Sequence, residues 1–131
     1  MASIFSKIIA GEIPCYKVAE TADYLAFLDV FPLAKGHVLV VPKKEIDYLF
    51  DMETPLYLGL MEFAQKIAVA IKKVVPCQKV GVAVIGLEVP HAHVHLVPIN
   101  TVGDINFSKA KMQIPANELE EMALLISKAF N

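Results

Sequence analysis

The sequence of 131 residues contains no long hydrophobic run and no excess of basic side chains. Its longest apolar stretch, residues 80–87, is far shorter than the roughly 20 residues that a membrane-spanning helix needs. Residues 1–7 show neither a basic segment nor a long apolar one, so we expect no signal peptide. With 12 basic against 14 acidic residues, broad nucleic-acid binding is disfavoured, because it depends on neutralising many phosphates. We therefore expect neither a membrane nor a nucleic acid as partner.

Cysteine is scarce as well, since Cys15 and Cys77 are the two in the sequence. They form no Cys-x-x-Cys pair of the kind that indicates a metal or redox site. Without a secretory signal they are interpreted as free thiols, and we expect a cytoplasmic protein.

Apolar residues, by contrast, are abundant. They make up 56% of the chain against 20% charged residues, and the mean hydropathy is +0.52. Such a composition excludes an intrinsically disordered chain. We expect the apolar excess to fill a core and one further buried surface, such as a subunit interface.

Hydrophobic periodicity and turn residues predict an α+β domain that spans residues 1–131. Helices are predicted at residues 4–10, 54–75 and 116–130, and strands at residues 17–20, 24–28, 38–41, 80–85 and 91–97. We expect a five-stranded, mostly antiparallel sheet with a long central helix between its third and fourth strands and a C-terminal helix. The strand at residues 80–85 is apolar on both parities, which is typical of a strand buried on both faces.

Three of the four histidines, His91, His93 and His95, stand at alternate positions in the last predicted strand. Because side chains alternate across a strand, the three imidazoles are expected on one face. The apolar residues at positions 92, 94 and 96 would then lie on the other face and pack into the core. Chance is a poor explanation for three histidines in register.

Two kinds of chemistry fit this row of imidazoles. Alternate strand residues lie about 7 Å apart, so a neighbouring pair could share a metal ion but all three could not without a bulge. The other possibility is an anion site, where one nitrogen attacks and its neighbours donate hydrogen bonds. Histidine is a competent nucleophile at phosphorus, and its charge is adjustable near neutral pH. We favour the anion site, with a phosphate ester or phosphoramidate as its substrate.

The sequence also resembles the histidine triad (HIT) superfamily of nucleotide hydrolases and transferases. The resemblance rests on three separated motifs, Ile4-Phe5-x-Lys7-Ile8-Ile9-x-Gly11-Glu12-Ile13-Pro14, then Phe27-x-Asp29 with Pro32 and Gly36-His37-x-Leu39-Val40-Val41-Pro42-Lys43, and finally His91-x-His93-x-His95 followed by two apolar residues. It covers most of the chain and implies a HIT-like fold. Within the superfamily the sequence is most similar to the Hint branch, the purine nucleoside phosphoramidases.

This resemblance implies catalytic roles for the four histidines. His93 would attack the α-phosphate and form a nucleotidyl-histidine intermediate, which water then resolves. His95 would hydrogen-bond a phosphate oxygen, His91 would lie near the phosphate, and His37 would complete the cluster from a neighbouring strand. The attacking nitrogen must be unprotonated while neighbouring donors stabilise charge on the phosphoryl oxygens.

The resemblance also implies a binding site and a partner. Asp29 would accept hydrogen bonds from the ribose hydroxyls, and the alternative is that it is a turn residue. Ile4 and Phe5 would help line the base pocket, or they could be plain core residues. The implied ligand is a purine nucleotide or nucleotidyl conjugate. Family members pair as homodimers through the long helix and a sheet edge, and no cofactor is implied.

The chain departs from the family pattern just before the triad. Gly86 is kept, but Leu87 replaces the usual glutamine, and Glu88 stands where Hint proteins carry a serine that assists the leaving group. Glu88 could act as a general acid or be a solvated loop carboxylate. Because an anionic Glu88 would repel polyphosphates, we favour monophosphate derivatives as substrates.

A second departure concerns metal. Some bacterial members carry zinc on a Cys-x-x-Cys around the Ile-Phe pair, and Ser3 and Ser6 occupy those positions here. Serine is a poor zinc ligand, so we expect no structural metal.

The leading hypothesis is therefore a hydrolase of nucleoside 5′-phosphoramidates or related nucleotidyl conjugates. A nucleotide-binding regulatory protein with little catalysis is the first alternative, and Leu87 motivates it. A dinucleoside polyphosphate hydrolase of the same superfamily is the second, and a metalloenzyme is a distant further possibility.

Overall fold

The computed structural model describes residues 2–131 as an α+β domain, as the sequence predicts. Its helices are α1 (Ile4–Ile9), α2 (Thr54–Val74) and α3 (Ala116–Phe130), and its strands are β1 (Lys17–Glu20), β2 (Tyr24–Leu28), β3 (Val38–Pro42), β4 (Lys79–Ala83) and β5 (Val94–Ile99). Short 3-10 helices at Leu49–Asp51 and Val102–Asp104 complete the regular structure of that range.

The strands form one sheet in the order β1-β2-β3-β5-β4, and every pairing is antiparallel. The first three strands follow one another as a meander. Helix α2 then carries the chain to the far edge, where β4 forms, and β5 returns into the gap between β3 and β4. The predicted five-stranded sheet with its long central helix is therefore confirmed.

Helices α2 and α3 cover one face of the sheet with the main core. The fully buried side chains Leu60, Ile67 and Ile71 of α2 meet Ile126 of α3 and the sheet residues between them. The buried residues of α2 recur at helical spacing, and Glu53 precedes the helix as its N-cap residue. Pro76 follows shortly after the end of α2, and proline cannot continue a helix.

The opposite face carries a smaller apolar cluster beneath α1. It consists of Phe5 from α1 with Leu25, Phe27, Leu39 and Val41 from the two neighbouring strands. All five residues of β3 are buried, because this strand is central and is covered on both faces.

The prediction that residues 80–85 form a strand buried on both faces is wrong. Strand β4 lies at the edge of the sheet, with β5 as its one neighbour among the described strands. Val82 is 53% exposed, and Ile85, beyond the end of the strand, is 48% exposed. The apolar run therefore marks an uncovered edge, whereas the central strands β3 and β5 are covered on both faces.

The last strand also begins later than predicted, at Val94 instead of His91. Residues 91–93 are held by individual hydrogen bonds, such as the one from the Ala92 N–H to the Ile46 carbonyl at 2.7 Å. The predicted alternation nevertheless holds, because residues 92, 94 and 96 all join the core under the helices. The strand also extends beyond its predicted end at residue 97 to Ile99, because β5 pairs with β3 only as far as Leu96 and continues along β4.

Cys15 and Cys77 are both free thiols, as expected. Among the described residues, no helix combines the length and the apolar character needed to cross a membrane.

Candidate active site

The four histidines gather on the sheet face opposite α2 and α3. In the register between β3 and β5, His95 stands opposite Leu39, and opposite residues point to the same side of a sheet. His37 lies two positions before Leu39 and shares that side, so its Nε2 comes within 3.0 Å of Nδ1 of His95. The ring of Phe5 packs against His93 from above, with ring centroids 4.8 Å apart. All four imidazoles are at most 8% exposed.

A tight turn delivers His37 to this cluster. Gly36 has a φ of +90°, and a Cβ atom there would lie 2.8 Å from Cγ2 of Val75. Glycine meets both constraints because it has no Cβ. The His37 N–H then bonds to the carbonyl of Ala34 at 3.1 Å, and the His37 carbonyl accepts the N–H of Asp29 at 3.0 Å.

Backbone groups determine where the protons of His37 and His95 sit. The N–H of Leu33 donates to Nδ1 of His37 at 3.0 Å, so this nitrogen must present a lone pair. In a neutral ring the proton is then on Nε2, which donates it to Nδ1 of His95 at 3.0 Å. His95 consequently carries its own proton on Nε2. The outer nitrogen of His95 is therefore a hydrogen-bond donor.

Burial keeps these two rings uncharged. It lowers the pKa of His37 to about 4 and that of His95 to about 3, and the positive charge of Lys111 acts in the same direction on both. Charging either ring would cost solvation that the site does not return. At neutral pH the pair therefore forms a chain of hydrogen bonds with one fixed direction, from the Leu33 N–H through His37 to His95, whose Nε2–H points outward.

His93 has the opposite arrangement of its proton. Its Nδ1 lies 2.8 Å from the backbone carbonyl of His91, and a carbonyl can only accept, so Nδ1 carries the proton. Burial lowers the pKa of His93, although the His91 carbonyl bond and the charge of Glu88 oppose this shift. Nε2 of the neutral ring therefore presents a lone pair, which is the state a nucleophile needs.

His91 turns both of its ring nitrogens to the protein. Nε2 lies 2.8 Å from the carbonyl of Pro42, and Nδ1 lies 2.8 Å from Oγ of Ser3. The ring is fully buried, so it has no nitrogen left to offer a bound phosphate. What His91 offers the site is its backbone carbonyl, which holds His93.

Asp29 follows the end of β2 beside the His37–His95 pair. Its Oδ1 accepts the N–H of Phe31 at 2.9 Å, and Oδ2 lies 3.7 Å from Nε2 of His37. Burial raises the pKa of this carboxyl, although the Phe31 N–H and the charge of Lys111 oppose the shift. Its side chain remains 21% exposed, so the carboxyl group is partly accessible.

This arrangement belongs to a known family of proteins. The profile of the HIT domain matches residues 10–102, which include Asp29 and the four histidines. The chain belongs to the HIT family.

Comparison with individual proteins shows that the similarity covers almost the whole chain. Adenosine 5′-monophosphoramidase hnt1 of Schizosaccharomyces pombe is 37% identical over 75% of this chain and 74% of its own. A Hit-like protein involved in cell-cycle regulation from Bartonella henselae superposes with a TM-score of 0.85 at 34% identity, covering 97% of this chain and 95% of its own. A zinc-bound histidine triad family protein from Mycobacterium smegmatis gives a TM-score of 0.84 at 26% identity, covering 99% and 94%.

One group in this HIT site has the spacing of a metal centre but not its chemistry. Ligand atoms of Asp29, His37 and His95 lie within 4.8 Å of one another. A metal ion needs a lone pair on each ligating nitrogen. Nε2 of His37 carries a proton, because Nδ1 already accepts the N–H of Leu33. If that proton moved to Nδ1, the N–H groups of His37 and Leu33 would point at each other without an acceptor between them. These residues therefore do not fit a metal ion.

The two residues predicted to line a base pocket have different environments. Phe5 is 7% exposed and contacts Phe27 as well as the His91 and His93 rings, so it is both a core residue and a wall of the site. Ile4 is 49% exposed beside it.

The loop before the triad stands at the solvent side of the cluster. Gly86 adopts a φ of +72°, which favours glycine and accounts for its place in the motif. Leu87 is 89% exposed, and the Glu88 side chain is also exposed. The negative charge of Glu88 nevertheless acts on His93.

Sequence reasoning missed several residues of the site. Phe107 packs against His95, with ring centroids 4.6 Å apart, and Lys111 lies over Phe107 with Nζ 5.2 Å from its ring centroid. Both come from the irregular segment between β5 and α3, which has no periodicity that could have indicated its position. The N–H of Leu33 was equally hidden, because a backbone donor leaves no mark in the sequence.

The lowered pKa values of His37 and His95 predict acid sensitivity of the fold. Below a pH of about 6.5 the unfolded chain binds protons on these histidines, whereas the folded chain does so only near a pH of about 4 and about 3. The free energy of unfolding should therefore be highest above pH 6.5 and decrease as the pH falls, by about 3 to 5 kcal/mol per ring. Urea unfolding at a series of pH values measures this decrease.

The variant His95→Gln provides the control for this experiment. It removes one of the two rings, so its unfolding should take up about one proton fewer than that of the original chain near pH 5. An unchanged dependence on pH would show that His95 is not held neutral in the folded protein.

Proposed function

We propose that this chain is a nucleotide-binding hydrolase that cleaves nucleoside 5′-phosphoramidates or related nucleotidyl conjugates. One observation carries the proposal, namely the hydrogen bond of 2.8 Å from Nδ1 of His93 to the His91 carbonyl. This bond leaves a lone pair on Nε2 of His93, next to a His95 ring whose centroid is 4.8 Å away. A nucleophile beside a fixed donor is the arrangement that attack at phosphorus requires.

The reaction proceeds in two balanced steps. Nε2 of His93 first attacks the α-phosphorus, a bond forms between them, and the bond from phosphorus to the amine breaks as the amine takes up a proton. Water then attacks the same phosphorus, loses a proton and displaces His93, which releases the nucleoside monophosphate. In both steps the Nε2–H of His95 donates to a phosphoryl oxygen, where negative charge develops. His95 has this donor because its Nδ1 accepts the hydrogen bond from Nε2 of His37, which leaves the proton of His95 on Nε2.

Asp29 and the Ile4–Phe5 pair account for recognition of the nucleoside in this proposal. Asp29 is a partly exposed carboxylate, and a carboxylate can accept hydrogen bonds from both hydroxyls of a ribose. Phe5 and Ile4 offer an apolar surface to a purine base. The activity named for the S. pombe relative, an adenosine 5′-monophosphoramidase, is consistent with such a ligand.

Removing the nucleophile tests the proposal. We expect His93→Ala to lose at least about a thousandfold in the turnover of adenosine 5′-phosphoramidate, because no other group can form the intermediate. Calorimetry with AMP should show that the variant still binds the nucleotide, which verifies its fold. Equal rates for the two proteins would refute the mechanism. Binding of AMP by the original chain without turnover of any nucleotidyl conjugate would favour the regulatory alternative, which the exposed Leu87 motivates.

Glu88 bears on the choice between phosphoramidates and dinucleoside polyphosphates. Because its charge acts on the site, we expect Glu88→Gln to lower the KM for a diadenosine polyphosphate by about two- to fivefold. The KM for adenosine 5′-phosphoramidate, which carries less charge, should change less. Glu120→Gln, an exposed substitution on α3, is the matched control. Equal changes for both substrates would contradict selection by charge.

The same variant tests whether Glu88 supplies the proton that the leaving amine takes up. A general acid matters most for a basic leaving group, so loss of Glu88 would slow phosphoramidates of alkylamines and spare those of weakly basic arylamines. If Glu88→Gln changes the rates for the two classes of substrate by the same factor, Glu88 is a solvated loop carboxylate.

We also propose that the chain pairs as a homodimer through α2 and the β4 edge. Val82 of β4 and Val69 of α2 are each about half exposed, at 53% and 52%. An uncovered strand edge with apolar side chains favours association with a further chain. Sedimentation analysis should give twice the mass of 14.4 kDa, and a monomer at micromolar concentration would contradict the pairing.

A cytoplasmic location is proposed for the same protein. It is supported by the two free thiols, Cys15 and Cys77, since thiols persist in a reducing compartment.

A further inference from the structure

A cluster of hydrogen-bonded side chains contacts His91 and extends to the exposed side chain of Glu45. Ser3 and Ser6 of the α1 region meet Glu45, which follows β3. The Ser3 N–H and the Ser6 hydroxyl both donate to Oε1 of Glu45, at 2.6 and 2.7 Å. The Ser6 N–H donates to Oγ of Ser3 at 3.0 Å, and this Oγ lies 2.8 Å from Nδ1 of His91. We call Ser3, Ser6 and Glu45 the serine clasp.

We propose that the serine clasp positions the nucleophile by holding His91 in a single tautomer and orientation. The proposal rests on the proposed function, because it gives these residues a role in the reaction of His93. Ser3, Ser6 and Glu45 are positioning residues here, since none of them touches the reacting atoms.

Counting protons supports this role. The Pro42 carbonyl accepts from Nε2 of His91 at 2.8 Å, so in the neutral ring Nδ1 presents a lone pair. The Ser6 hydroxyl gives its proton to Glu45, and Oγ of Ser3 accepts from the Ser6 N–H. The remaining Ser3 proton is thus free to be donated to His91. The two serine hydroxyls, Oε1 of Glu45 and both ring nitrogens of His91 then each have a partner of the right kind.

The local chain path explains why such a device is needed. Strand β5 begins at Val94, so no ladder of backbone bonds holds residues 91–93. The carbonyl that orients His93 belongs to the peptide whose Ala92 N–H bonds to the Ile46 carbonyl at 2.7 Å. The second support of this peptide is the His91 side chain, which has two anchors of its own. One anchor is the end of β3 through Pro42, and the other is Ser3. An error in the position of a nucleophile reduces the rate of the chemical step more than it reduces binding.

Ser3 also caps helix α1, and this role has to be separated from its contact with His91. Its Oγ caps α1 by accepting the Ser6 N–H, and α1 carries the Phe5 ring that contacts His93. The variant Ser3→Thr keeps both the cap and the hydroxyl proton. The variant Ser3→Ala loses both, and Glu45→Gln keeps Ser3 but removes the charge that holds the clasp together.

The kinetic test uses adenosine 5′-phosphoramidate as the substrate for all variants. For Ser3→Ala we expect kcat to fall about tenfold with KM changed less than about twofold, because position and not affinity is lost. Ser3→Thr should restore kcat to within about threefold of the original chain, and Glu45→Gln should lie between the two. Ile126→Ala is the control, since it removes a fully buried side chain of the core on the other face of the sheet. An equal loss of kcat in this control, or no loss in Ser3→Ala, would overturn the proposal.

A spectroscopic measurement makes the outcome independent of turnover. Nitrogen-15 NMR of the histidine rings should show His91 protonated on Nε2 alone and His93 protonated on Nδ1 alone. In Ser3→Ala the nitrogen-15 signal of His91 Nδ1 should shift towards the value of an unprotonated ring nitrogen that accepts no hydrogen bond. The Nδ1 proton of His93 should exchange faster with water.

The two readouts separate failure of the inference from failure of the proposed function. Absence of turnover in the original chain, with the expected NMR signals and their change in Ser3→Ala, would refute the hydrolase and leave the clasp standing. Normal turnover with a His91 ring that is doubly protonated, or unaffected by Ser3→Ala, would refute the clasp alone.

Discussion

Hydrogen bonds from the imidazoles to backbone groups are the constraint on which this site depends. The N–H of Leu33 can only donate, and the carbonyls of His91 and Pro42 can only accept. Each therefore fixes the proton of the ring that it meets, and a proton fixed on one nitrogen determines what the other can do. His93 is left with an outward lone pair and His95 with an outward proton. Neighbouring rings of one residue type thereby acquire opposite chemical roles.

The fold supplies the rigidity that these bonds require. The central strand β3 is buried on both faces, between the helical core and the cluster around Phe5. His37 directly precedes this strand and contacts His95, and the carbonyl of Pro42 at its end contacts His91. Burial also keeps the rings neutral, since it lowers the pKa of both His37 and His95. The packing that stabilises the sheet is thus the packing that sets the protonation of the site.

Much of the architecture could be predicted from local patterns. The boundaries of β1, β2 and α3 follow from turn residues and periodicity, and the apolar stripe of α2 indicates its buried face. The prediction that β4 is buried on both faces is wrong because apolar residues on both parities suit a buried strand and an uncovered edge equally well. Periodicity reports which side chains avoid water, whereas the place of a strand in the sheet depends on pairings distant in sequence.

The sequence by itself determined that three histidines would share one face, because a period of two on an extended segment leaves no other arrangement. It also determined the motifs that resemble the HIT family, to which the chain belongs. Only the tertiary structure decided what each ring does. The Leu33 N–H and the Pro42 carbonyl are backbone atoms, and Ser3 and Phe107 reach the rings from segments far away in sequence. Proton positions are set by whichever donors and acceptors the fold brings near, and a sequence pattern does not record those distances.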